Sequence, residues 1–285
     1  MRIAVVTDSG SGITRSQAEN TGIFVLPLQL TIDGIPYLEG ETISADEVYQ
    51  HVKQNHIVKT SMPPLGRIEE LFITLKEAGY DAIFAVPICT GLSGTISAMV
   101  ATADRLEIPF HYVDCYSTFS NQLYLVQQAR QLLDDEQKTV GEVKELLQRC
   151  SDDSITIIVP NDLKHLSKGG RLTPMAATLG GLLKIKPILR VSKDTDGKID
   201  SFEKVRTMQK ALDTIIEIFH EHEIDENYLL TVGHVADDET GQKMLAKMRE
   251  NFPKCEVLYQ QLASVIGAHT GIGCIGVQYI RRVQS

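Results

Sequence analysis

Through its first half the chain alternates short apolar runs with amphipathic segments, and this alternation constrains the fold more than any other feature. Residues 3–6 read as a buried strand ending in the polar turn Thr7-Asp8-Ser9-Gly10. Residues 24–32 read as a second strand, with Asp33-Gly34 turning into 35–38. Ser44-Ala45-Asp46-Glu47 fits a capping box and starts a helix that runs to Lys53. Helices over 65–78, 95–105 and 119–133 then alternate with strands over 82–87 and 111–114. Thr139 with Glu142 caps one more helix to Arg149, and 155–159 closes the series. Strands separated by helices pair in parallel and need cover on both faces. The expected fold class is therefore α/β, with a Rossmann-like parallel sheet in an N-terminal domain over residues 1–153.

The second half reads differently. Residues 185–191 and 198–205 flank Asp194-Thr195-Asp196-Gly197, a hairpin signal. A helix over 207–221, a strand over 228–235, a helix over 238–251, an extended run over 255–259 and a last strand over 275–280 follow. These define a C-terminal α+β domain over residues 154–285, and 285 residues are enough for two cores.

Composition excludes several classes of chain. With 43% hydrophobic residues, 23% charged, 21 Gly and 10 Pro, it is neither collagenous, low-complexity nor disordered. No apolar run reaches the ~18 residues of a membrane span, and the start Met1-Arg2-Ile3-Ala4-Val5-Val6-Thr7-Asp8 meets an acid too early for a secretory signal. A cytoplasmic location is expected. Cys89, Cys115, Cys150, Cys255 and Cys274 are odd in number and form no C-x-x-C pair, as free thiols would, and no metal site is expected. The net charge of −9 argues against nonspecific nucleic-acid binding, but it is unevenly spread. Residues 164–193 contain no acid, and Lys164, Lys168, Arg171, Lys184, Lys186, Arg190 and Lys193 contribute +7, which leaves −16 on the remainder. The stretch reads either as solvated surface or as a positive field for an anionic ligand or an acidic partner. Its few aromatics do not make a stacking platform for single-stranded nucleic acid.

In open parallel sheets, ligands bind beyond the carboxyl ends of strands, where loops and helix N-termini converge. Thr7-Asp8-Ser9 occupies one such place. Thr90-Gly91-Leu92-Ser93-Gly94-Thr95 occupies another, where free N–H groups and the Ser93 and Thr95 hydroxyls suit a carboxylate or phosphate. Simple capping of the next helix is the alternative there. Thr60-Ser61-Met62-Pro63-Pro64 sets paired hydroxyls on a turn before a helix, with capping again the alternative. Lys168-Gly169-Gly170-Arg171 and Leu182-Leu183-Lys184-Ile185-Lys186-Pro187 lie in the basic stretch, and Arg206 sits at a strand-to-helix junction where a guanidinium can engage an anion. His269, in the glycine-rich segment 267–273, reads as a hydrogen-bonding group. As a base toward Ser93 it would instead make an esterase or acyltransferase. Gly91-Leu92-Ser93 starts like a nucleophile elbow, but Gly94 follows the serine at once and Thr95 takes the second glycine's place. His220-Glu221-His222 reads as solvated surface, and no P-loop signature is present.

Taken together, Thr7-Asp8-Ser9, Lys59-Thr60-Ser61, Leu92-Ser93-Gly94-Thr95, Lys168-Gly169-Gly170-Arg171, Leu183-Lys184-Ile185-Lys186-Pro187-Ile188-Leu189, Lys204-Val205-Arg206-Thr207 and Ile266-Gly267-Ala268-His269-Thr270-Gly271 carry a resemblance that spans nearly the whole chain. It resembles the DegV family of bacterial lipid-binding proteins. The resemblance implies two domains with one long-chain fatty acid in a tunnel between them, its carboxylate near the surface end. It implies a fatty-acid-binding subunit of a bacterial fatty acid kinase, not itself a catalyst. A separate ATP-binding kinase subunit would turn the bound acid into an acyl-phosphate for phospholipid synthesis. No cofactor beyond the fatty acid and no nucleic acid is implied, and peripheral exchange of lipid with a membrane is compatible with it. Carried onto this chain, Thr60, Ser61, Ser93 and Gly94 would bind the carboxylate with His269 close to it. Arg171 and Arg206 would add positive charge near the head group or on the kinase-facing surface. Met62 stands where the family usually has glutamine, and Ile272 where it usually has proline. The first is expected to alter the tunnel near the head group, and the second bears on the loop of His269.

Overall fold

The computed structural model describes residues 1–135, 138–178 and 185–284; Leu182, Leu183 and Lys184 of the basic stretch lie outside them. In chain order the strands are β1 (Ile3–Asp8), β2 (Ile23–Leu26), β3 (Gln29–Ile32), β4 (Ile35–Leu38), β5 (Val58–Ser61), β6 (Ala82–Ala85), β7 (Phe110–Tyr112), β8 (Ser154–Val159), β9 (Lys186–Val191), β10 (Asp200–Val205), β11 (Tyr228–His234), β12 (Glu256–Gln261) and β13 (Ile275–Arg281). The helices are α1 (Ala45–Lys53), α2 (Leu65–Glu77), α3 (Thr95–Arg105), α4 (Phe119–Asp134), α5 (Val140–Asp152), α6 (Leu163–Ser167), α7 (Pro174–Thr178), α8 (Met208–Glu221), α9 (Asp238–Asn251) and α10 (Ser264–Thr270).

The α/β class holds. A parallel sheet runs β2-β1-β6-β7, and all six residues of β1 are buried, because helices cover both its faces. Ile68, Phe72 and Met99 from α2 and α3 fill one side with Ala4 and Val6. Leu125, Val126, Val143 and Leu147 from α4 and α5 fill the other, in a core that also takes in Leu229 and Ile280 of a second sheet. That second sheet is six-stranded and mixed, in the order β10-β9-β8-β13-β11-β12. Its outer face buries Ile215, Phe219, Met244 and Met248 of α8 and α9. The two helices α4 and α5 thus lie between the sheets.

Several expectations are corrected. The strand expected over 24–32 is two strands in different sheets, because Pro27 has no N–H for the ladder and Leu28 donates instead to Ser9 Oγ at 2.9 Å. β3 leaves to pair with β4 and β5 in a small antiparallel sheet. Thr60 and Ser61 therefore end a strand rather than sit on a turn, opposite Leu30 and Gln29. β8, expected to close the parallel series, is antiparallel to β13 and β9 in the second sheet. The expected hairpin of β9 and β10 is present, with a bulge between Ser201 and Glu203.

His269 lies on a helix, α10, where a glycine-rich loop was expected. Gly267 does not break it, since the backbone there packs flat against Tyr49: a Cβ on Gly267 would lie 2.2 Å from Tyr49 Cε1. Tyr49 in turn donates its hydroxyl to the carbonyls of Leu262 and Ala263 before α10. At an exposed helical position Gly→Ala stabilises by about 1 kcal/mol. Gly267→Ala is expected to do the reverse, losing about 1–3 kcal/mol by overpacking, and thermal denaturation reads the sign directly.

Candidate functional site

Between the small antiparallel sheet, the loop before α3 and the inner face of the six-stranded sheet lies a mainly apolar cavity. Leu28, Ile88, Leu92, Ile158, Val191 and Ile266 are among the residues that line it. Thr60, Ser61, Ser93, Arg171 and His269 line it too, so five residues singled out from four separate motifs share one cavity. Arg206 and Gly94 do not line it. Arg206 is exposed at the β10–α8 junction. Gly94 is the exposed residue preceding α3, and Met62 Sδ lies 3.7 Å from the point a Cβ on Gly94 would occupy, so Met62 borders the Ser93 loop. Ile272 packs as a partly buried side chain in the apolar clusters around α10.

The Thr60 and Ser93 hydroxyls each have a partner. Thr60 Oγ1 lies 2.6 Å from His269 Nε2, and Ser93 Oγ lies 2.8 Å from Thr95 Oγ1. Each pair uses one proton internally. If Nε2–H donates to Thr60, the Thr60 hydroxyl keeps its own proton for a ligand oxygen, and one hydroxyl of the Ser93–Thr95 pair is likewise left to donate. No side chain caps α3, so its first N–H groups and the positive end of its dipole remain available next to Ser93.

The electrostatics favour an anion. Arg171 donates only to the carbonyls of Leu92 and Gly169, and no carboxylate pairs with it among the described residues. Burial pulls its pKa down, the mark of a cation lacking a counter-charge. Burial first, then Arg171 and His165, push His269 down to about 4, so the empty site holds a neutral imidazole at pH 7. Its Nδ1 faces Gly169, where a Cβ would come within 2.5 Å.

The other basic residues of this stretch whose side chains are described have separate surroundings. Lys186 donates to Asn161 Oδ1 at 2.7 Å, Lys193 pairs with Asp152, and Arg190 lies over Phe202 and 4.0 Å from Asp194. Lys168 is exposed. Thr7-Asp8-Ser9 is also not in the cavity: it is a buried knot. Asp8 accepts from Gly10 N, Ile88 N and Gln122 Nε2, and burial pushes its pKa up to about 6.

One residue was missed altogether. Glu39, at the end of β4, accepts from Ser9 Oγ at 2.5 Å, Ser264 Oγ at 2.6 Å and Val265 N at 2.9 Å. It caps the helix that carries His269, a task no local pattern around Leu38-Glu39-Gly40 announces. Among the described residues no group of His, Cys, Asp and Glu could hold a metal ion, and no helix is long and apolar enough to cross a membrane.

Comparison with known proteins places this geometry. The sequence profile described as DegV family matches residues 2–282. A DegV domain-containing protein of Streptococcus pneumoniae is 34% identical over 284 residues, covering 98% of this chain and 99% of the relative. The DegV protein of Bacillus subtilis is 30% identical, over 97% and 98% of the two chains. Among solved structures, a fatty acid binding DegV family protein from Streptococcus agalactiae superimposes with a TM-score of 0.90 at 27% identity over 99% of both chains. DegV of Bacillus subtilis, a fatty acid binding protein, gives 0.88 at 29% identity over 99% of this chain and 100% of that one. With the family profile spanning nearly every residue, this chain belongs to the DegV family.

Proposed function

We propose that this protein binds one long-chain fatty acid between an N-terminal domain (1–153) and a C-terminal domain (154–285), with the carboxylate toward Thr60, Ser61, Ser93, His269 and Arg171. One observation carries the reading: an apolar cavity whose lining includes a guanidinium with no carboxylate partner among the described residues, the hydrogen-bonded Thr60 and His269, and the Ser93 hydroxyl. Such a site suits a ligand that is hydrocarbon along its length and anionic at one end. Each buried methylene contributes roughly 0.8 kcal/mol, so the tail supplies most of the affinity and the polar end fixes orientation. The fatty-acid-binding structures of relatives support the same ligand class.

The protein then acts in the cytoplasm as a carrier that presents the carboxylate to a separate ATP-binding kinase subunit, which forms the acyl-phosphate for phospholipid synthesis. Since Arg171 belongs to the cavity, the docking face is better sought at the exposed Lys168 and Arg206. Lys168→Glu with Arg206→Glu is expected to lower acyl-phosphate formation several-fold, about 1 kcal/mol, without weakening lipid binding. Unchanged acyl-phosphate formation would remove these residues from the docking face.

The esterase reading is less well supported. Ser93 is bonded to Thr95 and His269 to Thr60, and the charged neighbours that shift His269 are Arg171 and His165, not the carboxylate a catalytic histidine needs behind it. Native mass spectrometry of the purified protein tests the carrier: one fatty-acid mass per chain is expected, with no turnover of an activated ester. A ligand-free protein that also rejects added long-chain acids would sink it, and ester turnover lost in Ser93→Ala would favour the hydrolase.

A further inference from the structure

The six-stranded sheet that floors the cavity carries two cross-strand rows in register. Thr156 on β8, Gln278 on β13 and Thr231 on β11 are direct partners, and two residues along each strand Ile158, Gly276 and Gly233 are partners in the same way. All six line the cavity. Because side chains on one face of a strand recur every second residue, the rows are neighbours, roughly 6.8 Å apart. The row with two glycines is low, and Leu262 settles on it so closely that a Cβ on Gly233 would meet its Cδ2 at 2.5 Å. The Thr-Gln-Thr row stands up from the sheet as a wall.

That wall is held from both sides. Gln278 Oε1 accepts from Ser120 N at 3.1 Å and Asn121 N at 3.4 Å, capping the first turn of α4, where Thr118 supplies no side-chain cap. Gln278 Nε2 lies 2.8 Å from Thr156 Oγ1 and 2.9 Å from the Thr118 carbonyl, and Thr231 Oγ1 donates to Ser120 Oγ at 2.8 Å. Thr231, Gln278 and Thr156 are 2%, 3% and 6% exposed. The N-terminus of α4 therefore sits directly on the row. A hydrocarbon chain cannot pass without breaking several buried hydrogen bonds, each expensive to leave unmade. The polar atoms of the wall are engaged with the start of α4 and, between Gln278 and Thr156, with one another, whereas Arg171 lacks a counter-charge among the described residues. The wall thus faces the methyl end of the ligand.

We propose that the Thr156–Gln278–Thr231 row is the end stop that sets the longest acyl chain the cavity admits. The proposal rests on the fatty-acid reading above. Its test is the affinity of a series of saturated acids differing by single carbons, measured for wild type, Thr231→Ala, Thr156→Ala and Thr231→Val, with the thermal stability of each. Either alanine variant, by lowering the wall, is expected to raise affinity for acids just beyond the wild-type limit by roughly fourfold per carbon admitted, with a smaller change for shorter acids. Thr231→Val keeps the bulk and should keep the wild-type limit. An unchanged limit in a folded alanine variant overturns the end stop. So does an equal loss of affinity at every length, which would assign the row to the carboxylate. Wild-type protein that binds no acid of any length instead overturns the fatty-acid reading itself.

Discussion

Replacing Arg171 by glutamine is expected to weaken binding of a long-chain fatty acid by about tenfold or more, since a hydrogen bond to a charged group contributes roughly 1.5–3 kcal/mol. The guanidinium is half-buried, with only the Leu92 and Gly169 carbonyls as acceptors among the described residues, so part of the desolvation penalty of the ion pair falls on folding rather than on binding. Arg171→Lys should restore the charge but not the planar fork, and so recover the affinity only in part. The control is the fatty alcohol of the same chain length. It should bind wild type and Arg171→Gln alike in a fluorescence displacement assay. Equal losses for acid and alcohol would mean that Arg171 acts by packing.

The second large effect is on proton binding. In the empty site His269 is held down to about 4 from an ordinary 6.5. A fatty carboxylate arriving beside it supplies the negative charge the site lacks, and the pKa of His269 should rise on binding. The sign follows from linkage. Between the free and the bound pKa the complex takes up a proton, so affinity increases as pH falls through the bound value, until the ligand carboxylate itself protonates at about 4–5. NMR of the imidazole Cε1–H, with and without ligand, reads the shift, and His269→Asn should flatten the pH dependence. A His269 that titrates at the same pH in both states would place the carboxylate elsewhere.

The same depressed pKa acts on stability. Below 6.5 the unfolded chain takes up a proton that native His269 refuses, so stability is present above that pH and lost as pH falls toward about 4. Asp8 works the other way: raised to about 6 from 3.8, it retains a proton when folded, so its contribution is gained as pH falls through about 6 and is complete below 3.8. The two opposed contributions leave the ligand-linked shift of His269 as the cleaner observable.

What was legible in the sequence was what is written locally. The capping boxes at Ser44–Glu47 and Thr139–Glu142 form as their spacing indicates, and the helices Thr95–Arg105 and Asp238–Asn251 start and stop where their patterns do. The Asp196-Gly197 turn closes its hairpin, with both residues at positive φ. The remainder depends on partners distant in sequence. Gly267 reads as a loop residue until Tyr49 is seen lying against it. Glu39 has no signature, because its donors Ser9, Ser264 and Val265 come from both halves of the chain. The Thr156–Gln278–Thr231 row exists only once β8, β13 and β11 are set in register. The acid-free run 164–193 is continuous in sequence but divided in space, with Arg171 lining the cavity and Lys193 neutralised by Asp152. Charge counted along a chain does not report where the fold will spend it.

In the proposed complex one fatty acid lies in this cavity with its carboxylate at Arg171 and His269 and its methyl end at the threonine row. A crystal structure of the complex with an ω-bromo fatty acid, read by the anomalous signal of bromine, tests it most directly. The bromine peak is expected against Thr156, Gln278 and Thr231, with the carboxylate among Ser93, Thr60, His269 and Arg171. A bromine peak beside Arg171, or a ligand bound outside this cavity, would contradict it.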